Sequence, residues 1–261
     1  MRGGTVMSYD LQRADFWKRA SAWLLDAILV VILSVGFVFL LSLITGINGY
    51  YDDYQAVMDR YEVEYGVDFD AASDIDKYNA MTEAERAKID EAFAAFAKDD
   101  DAIYNYNMII QLIVLNISLG IFLGFLCLEF IVPMLFKNGQ TLGKKVFGIA
   151  VMRLDGVKIN GQILFVRAIL GKYAIETMIP LMMLVWLVLG TAGIMAIVVM
   201  LLVIVGNLIM MIATRTNSAI HDQLSHTVAV DMASQLIFDS PEALLEYKQK
   251  LHAEAAEKAE Y

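Results

Sequence analysis

Long apolar runs, separated by charged stretches, are the dominant pattern of this chain. Residues 27–47 contain 21 positions without a charge, residues 102–128 contain 27, and residues 177–214 contain 38. About 20 apolar residues in a helix cross a hydrocarbon core of roughly 30 Å. Each of the first two runs therefore predicts one membrane span. The third would be about 57 Å long as a single helix and predicts two spans.

A Gly-Thr-Ala-Gly sequence at 190–193 lies between the two spans predicted in the longest run, near 173–190 and 193–214. The pattern predicts an all-α integral membrane protein, a four-helix transmembrane bundle with a helical insert. The chain then divides into an N-terminal arm with the first span (1–47), an acidic insert (48–106), the second span (107–136), a basic connector (137–172), the hairpin of spans three and four (173–214) and a charged tail (215–261).

Local signals add detail between the spans. Thr82 and Glu85 have the spacing of a capping box at the start of a helix in the insert. In the connector, Asp155-Gly156 between apolar flanks predicts a small β-hairpin, with which the β-type run 226–230 can pair. The segment 163–173 predicts a helix entering the membrane, whose charges Arg167 and Lys172 are expected to reach the interface.

Charge is strongly segregated along the chain and predicts its orientation. Residues 52–101 carry 16 acidic and 5 basic side chains, whereas residues 137–172 carry 7 basic and 1 acidic. The N-terminal arm has Arg2, Arg13, Lys18 and Arg19. Because Lys and Arg are retained inside, we expect arm, connector and both termini to be cytoplasmic, and the insert to be extracytoplasmic.

The same charges bear on location and partners. We expect a multi-pass protein of the plasma membrane, with the bilayer, including anionic headgroups, as partner of the basic patches. Nucleic acid is not needed to explain those patches. The single Cys127 excludes an internal disulfide. The patterns predict no particular oligomeric state.

Three polar residues of the spans have similar predicted depths. Asp26 follows Arg19 by seven residues, while Glu129 and Asn207 precede the next basic residue by eight. All three are then about 10–12 Å inside the cytoplasmic boundary. Two carboxylates and an amide at one depth suggest a cation site or a proton relay. The alternative is a structural cluster, in which Asp26 pairs with Arg19 or another helix's cation and Lys144 and Arg167 also neutralise these groups.

The residues that carry a resemblance are Arg19 and Asp26, the stretch GQTLGKKVFGIAV at 139–151, Arg167, and HDQLSHTVAV at 221–230. Together they resemble the RDD family of membrane proteins, named for an Arg and two Asp, which match Arg19, Asp26 and Asp222. The resemblance covers residues 13–48 and 108–231, and the insert and tail are additions to the usual pattern. Its supporting positions are Gly139, Gln140, Thr141, Gly143, Lys144, Arg167, His221 and Thr227.

The resemblance implies transport, and some members of the family exchange cations for protons. The sequence thus supports two hypotheses. One is a small transporter exchanging a monovalent cation for protons, with Asp26 and Glu129 carrying the cation or proton and with Arg19 and Asp222 setting the field. The other is a non-transporting membrane scaffold or accessory protein, with a structural ion-pair cluster.

Enzymatic and metal chemistry are not expected. His221 and His226 are five residues apart, not the four of a helical metal pair, and Ser225 has no triad context. GQTLGK lacks the spacing of a phosphate-binding loop. We therefore predict no enzyme, no metal site and no cofactor.

The orientation can be tested with single cysteines at Ser73 and Ser234 in a Cys127→Ala background. A membrane-impermeant maleimide should label Ser73→Cys in intact cells, because the acidic insert is easily translocated. Ser234→Cys should be labelled only after lysis. Labelling of the tail from outside would contradict an even number of spans with cytoplasmic termini, and the Ser73 result would then distinguish an inverted protein from a missing span.

Overall fold

The computed structural model describes residues 11–136, 138–191 and 193–259, so Arg2, Lys137 and Ala192 lie outside the described residues. The described chain is mostly helical. Four helices are long and apolar enough to cross a membrane, as the hydropathy pattern predicts: Phe16–Thr45, Asp100–Phe136, Gly161–Val188 and Gly193–Ala213. They are called the first to fourth spans below.

The third span is longer than its apolar core. It begins at Gly161, twelve residues before the start near 173 expected from hydropathy. The Asn160 side chain accepts a hydrogen bond from the Ile163 N–H and caps this helix. The expectation that Arg167 and Lys172 reach the interface is wrong, because both are buried, at 3% and 8% exposure.

Two spans contain π-helical segments, Leu126–Ile131 in the second and Val166–Met178 in the third. In the second span, the Val132 N–H donates to the carbonyl of Cys127, five residues back. Pro133 follows at once, and its ring excludes the carbonyl four residues before it from normal α-helical geometry. Such insertions are rare and often occur at functional sites.

The chain forms two compact units, one of which comprises Ser34–Ile121. This unit contains the C-terminal part of the first span, the N-terminal part of the second span and the whole acidic insert. The insert consists of the helices Ile47–Tyr65, Phe69–Ser73, Ile75–Ala80 and Glu83–Phe96. Val57, Phe96 and Ala102 form one apolar cluster, and Phe69, Ile89 and Ala92 form another.

Polar contacts order the ends of these helices. Asp99 accepts the N–H groups of Asp101 and Ala102 at 3.0 Å and so caps the second span. It also pairs with Arg60 at 2.6 Å. The capping box of Thr82 and Glu85, which the sequence predicts, is present.

The other unit comprises the residues up to Leu33 and those from Phe122 onward. Its core is an antiparallel sheet of β1 (Ile149–Arg153) and β2 (Thr227–Asp231). Ala150, Met152, Val228 and Val230 cluster on one face. The N-terminal arm extends the sheet, since the Ala14 N–H donates to the Ala229 carbonyl at 3.1 Å.

The predicted hairpin is only partly formed. The turn at Asp155-Gly156 exists, and the Arg153 N–H donates to the Val157 carbonyl at 2.9 Å. However, only a single bridge, Met152 to Lys158, continues it. The predicted pairing of the connector with the run 226–230 is confirmed, because β1 pairs along its whole length with β2. Both strands are buried on both faces.

Three shorter helices complete this unit: Leu142–Val146, Ile220–Leu224 and Pro241–Ala259. We call the first two the Thr141 helix and the His221 helix. Thr141 caps the first, because its hydroxyl accepts the Lys144 N–H at 3.3 Å. The second lies against the π-helical segment of the third span.

The capping box gives a test of the insert. Thr82→Ala removes the acceptor of the Glu85 N–H, and we expect a loss of about 1 kcal/mol, or roughly fivefold faster hydrogen exchange at residues 83–86. The measurement is hydrogen–deuterium exchange on the full chain in detergent. Thr82→Ser keeps the hydroxyl and should exchange as the wild type does. Equal protection in the Ala and Ser variants would show that the cap does not order this helix.

Candidate functional site

Asp222 is the centre of a buried charge cluster. The residue is fully buried on the His221 helix. Its Oδ2 accepts from Arg19 Nη2 at 2.9 Å, and its Oδ1 accepts from Arg167 Nη1. The Ala219 N–H also donates to Oδ2, at 3.2 Å. One carboxylate thus joins the first span, the third span and the C-terminal part of the unit.

The two guanidinium groups hold the neighbouring backbone as well. Arg19 donates to the Asn217 carbonyl, and Arg167 donates to the Thr227 hydroxyl at 2.6 Å. Burial alone would raise the pKa of Asp222, but Arg167, His221 and Arg19 hold that pKa well below its usual range. The contribution of the Asp222 carboxylate to the free energy of unfolding is therefore complete above the unfolded pKa of about 3.9. It is lost only as the pH falls through the lower pKa of the folded state.

A second ion pair joins the two π-helical segments. Lys172 Nζ donates to Glu129 Oε1, and both residues are buried, at 8% and 5% exposure. Glu129 lies in the segment Leu126–Ile131 and Lys172 in the segment Val166–Met178. Because a charge within a span is costly, this pairing accounts for how both are tolerated there.

Glu176 holds the His221 helix in place. It accepts the backbone N–H of His221 at 2.9 Å and its ring Nδ1 at 2.8 Å. Burial lowers the pKa of His221 by more than the nearby carboxylates raise it. The ring is therefore neutral at pH 7, with its Nδ1–H donated to Glu176.

Asp26 differs from Asp222 and Glu129, which are each paired with a cationic side chain. It is 3% exposed, and it accepts the Gly143 N–H at 2.7 Å and the Thr141 hydroxyl, both neutral donors. Among the described residues, no cationic group lies within 4.0 Å of it. The close approach requires glycine at 143, since a Cβ there would be 2.3 Å from the Ala22 carbonyl oxygen.

Lys144 is the basic residue near Asp26 that has no carboxylate partner within the described ranges. Its partly buried side chain places Nζ 3.4 Å from the Thr141 hydroxyl, and no carboxylate in the described parts of the chain is within salt-bridge distance. Burial and the nearby Lys172 ammonium lower the pKa of Lys144 to about 8. Lys144, Thr141 and Asp26 thus form a chain in which the ammonium donates to the hydroxyl and the hydroxyl donates to the carboxylate.

The remaining sequence-predicted residues support these contacts. Asn207 Oδ1 accepts the Ile220 N–H at 3.0 Å and fastens the start of the His221 helix. Gln140 is buried and donates to the Ile149 carbonyl at 2.8 Å. Gly139 has φ +61, and a Cβ there would be 2.3 Å from the Ile159 side chain. Both residues hold the GQTLGK turn against β1.

The structure does not join into one site the three residues that were predicted to lie at the same depth in the membrane. Asp26, Glu129 and Asn207 each have different partners, on the Thr141 helix, at Lys172 and at Ile220. Arg19 is paired with Asp222, not with Asp26. The partnerships of Lys172 and Glu176 were not anticipated. Their spacing of four residues in an apolar segment is the signal that could have indicated a shared face.

Buried acids and bases balance in number. The acidic members are Asp26, Glu129, Glu176 and Asp222, and the basic members are Arg19, Lys144, Arg167 and Lys172. With His221 neutral, the formal charge of the cluster is zero. Loss of a single proton from Lys144 would leave one uncompensated negative charge.

Four apolar helices around a buried, charge-balanced cluster define a multi-pass membrane protein. The family model of the RDD family matches residues 13–226, and the chain belongs to this family. The match includes Arg19, Asp26 and Asp222, which lie in or beside the cluster. No curated protein and no solved structure shows significant similarity to the chain.

The pairing of Asp222 can be tested by Asp222→Asn. This change keeps the side-chain volume but leaves two buried guanidinium groups without a counter-ion, which should cost about 3–5 kcal/mol. Thermal unfolding of the purified protein in detergent should shift down by on the order of 10 °C. The control is Asp239→Asn, in an exposed pair with Lys158, where we expect less than about 1 kcal/mol. Similar small shifts in both variants would contradict a structural role for Asp222.

Proposed function

We propose that the protein is a small transporter that exchanges a monovalent cation for protons. The observation that carries this proposal is the environment of Asp26. It is a buried carboxylate in a membrane span, held by one backbone N–H and one hydroxyl and by no cation within 4.0 Å in the described chain. A buried carboxylate is expensive without a positive partner. Asp26 is therefore suited to bind either a proton or a small cation.

Asp222 and Glu129 are less suited to this role. Asp222 is compensated by two guanidinium groups, and Glu129 by Lys172. A cation would have to displace these partners, which are themselves buried and would be left unpaired. We therefore assign transport to Asp26, and assign Glu129, Asp222 and Arg19 to holding the helices around it.

We further propose that this takes place in the plasma membrane, with both termini in the cytoplasm. The support is the excess of Lys and Arg in the N-terminal arm and in the connector. Asp26, the GQTLGK turn and the His221 helix would then be near the cytoplasmic side. The basic side chains that remain exposed, such as Lys145, would meet anionic lipid headgroups.

A second candidate function is a non-transporting scaffold. The observation in its favour is that three of the four buried acids are already in ion pairs or, for Glu176, bonded to His221. A purely structural cluster would need such saturation. In this case the insert and the tail helix Pro241–Ala259 would be the binding modules, and Asp26 would only anchor the GQTLGK turn.

Flux into proteoliposomes distinguishes the two functions. The wild-type protein should produce a change in internal pH when sodium or potassium chloride is added, reported by an enclosed pH-sensitive dye. Asp26→Asn keeps the shape and an oxygen acceptor but loses the charge, so the cation-dependent signal should fall at least tenfold, about 1.4 kcal/mol in the transport step. Glu246→Gln, an exposed change in the tail, should transport as the wild type does.

Thermal unfolding is measured on the same preparations. Equal flux from the wild type and from a folded Asp26→Asn protein would refute the role of Asp26. Absence of cation-dependent flux in the wild type, together with a large stability loss in Asp26→Asn, would favour the scaffold.

A further inference from the structure

Lys144 has an unusual place in the buried cluster. Among the four buried bases, Arg19, Arg167 and Lys172 each have a carboxylate partner. Lys144 instead contacts the Thr141 hydroxyl, at 3.4 Å. The charged groups facing it are Asp26 on the first span, Glu129 on the second, and Arg167 and Lys172 on the third. Glu129 and Arg167 are already paired, so Asp26 is the unpaired anion near it.

We propose that Lys144 is a tethered cation whose ammonium neutralises Asp26 in the proton-loaded state and is replaced by the transported cation when it loses its proton. This inference rests on the proposed function and identifies its proton carrier. Thr141 connects the two groups, because its hydroxyl accepts from Lys144 and donates to Asp26.

The charge balance of the cluster predicts an exchange of one proton for one cation. When an N–H bond of the Lys144 ammonium breaks, the proton passes to water and the electron pair stays on Nζ. The cluster then changes from neutral to one net negative charge, located nearest Asp26. Binding one monovalent cation there restores neutrality, and the exchange moves no net charge.

Lys144 gains and loses its proton near physiological pH. Its pKa of about 8, lowered by burial and by Lys172, means that both charge states are populated between pH 7 and 9. A matched comparison is available in Lys145, which is exposed and lies 3.9 Å from the centre of the Phe136 ring.

The test measures binding of sodium or potassium chloride to the full-length protein in detergent by isothermal titration, with N-methylglucamine chloride keeping ionic strength constant. Wild-type affinity should rise about tenfold from pH 7 to pH 9, as Lys144 becomes neutral. Lys144→Gln should bind with the high-pH affinity at both values. Lys144→Arg, which stays charged, should bind at least tenfold more weakly throughout. Lys145→Gln should behave as the wild type does.

The outcomes separate this inference from the function on which it rests. If Lys144→Gln keeps the pH dependence while Asp26→Asn abolishes binding, another group carries the proton and the proposed transporter stands. If the wild type binds neither cation at pH 9, both proposals fail.

A direct titration of Lys144 gives an independent answer. Acylation of amines across pH, read by mass spectrometry, should give a midpoint near 8 for Lys144. A lysine model peptide titrated alongside should give about 10.4. A Lys144 midpoint equal to that of the model peptide would overturn the proposal whatever the flux.

Discussion

The ion pairs of Asp222 are the interaction on which the rest of this structure depends. A single carboxylate neutralises Arg19 of the first span and Arg167 of the third, while its own helix is bonded to Glu176 and Asn207. None of these groups would be stable alone in a low-dielectric interior. Each is tolerated because the others are present. The cluster is therefore formed as a unit, and it fixes which helix ends can be neighbours.

The π-helical segments are the backbone counterpart of this cluster. A π-helical turn is closed by a hydrogen bond to the carbonyl five residues back and not four, so it interrupts the regular apolar face of a span. Glu129 lies in one such segment, and Arg167, Lys172 and Glu176 lie in the other. The segments thus coincide with the charged positions. In the second span, Pro133 is a local cause of the π-helical geometry. In the third span, the π-helical geometry occurs where charged side chains bond to partners on other elements.

Apart from Glu176, whose partner His221 is neutral, Asp26 and Lys144 are the two charged members of the cluster without an ion pair in the described chain. The Thr141 hydroxyl is bonded to both of them. In the exchange that we propose, the ion-paired neighbours would hold in place the two groups that change charge. The proposed transport role and the structural role would then belong to residues of similar type. Charge alone does not indicate which role a residue has.

Much of the fold follows from hydropathy and charge, which each residue carries independently of its neighbours in space. The four spans, the capping box of the insert and the involvement of Asp26 were predictable in this way. The resemblance to the RDD family added Asp222 and the GQTLGK turn. These features depend on composition and on spacing along the chain, and the physical cost of exposing apolar or charged groups is the same wherever the helices pack.

The pairing of the charges was decided only by the tertiary structure. Arg19 is seven residues from Asp26 but bonds Asp222, 203 residues away. The rotation of each helix about its own axis determines which side chains meet, and this rotation depends on how whole helices and strands pack. The π-helical segments also change the direction in which the following side chains point, which the regular repeat of an α-helix does not predict. The sequence therefore determined which residues of the spans are charged, and the packing determined which of them are buried and how each is neutralised.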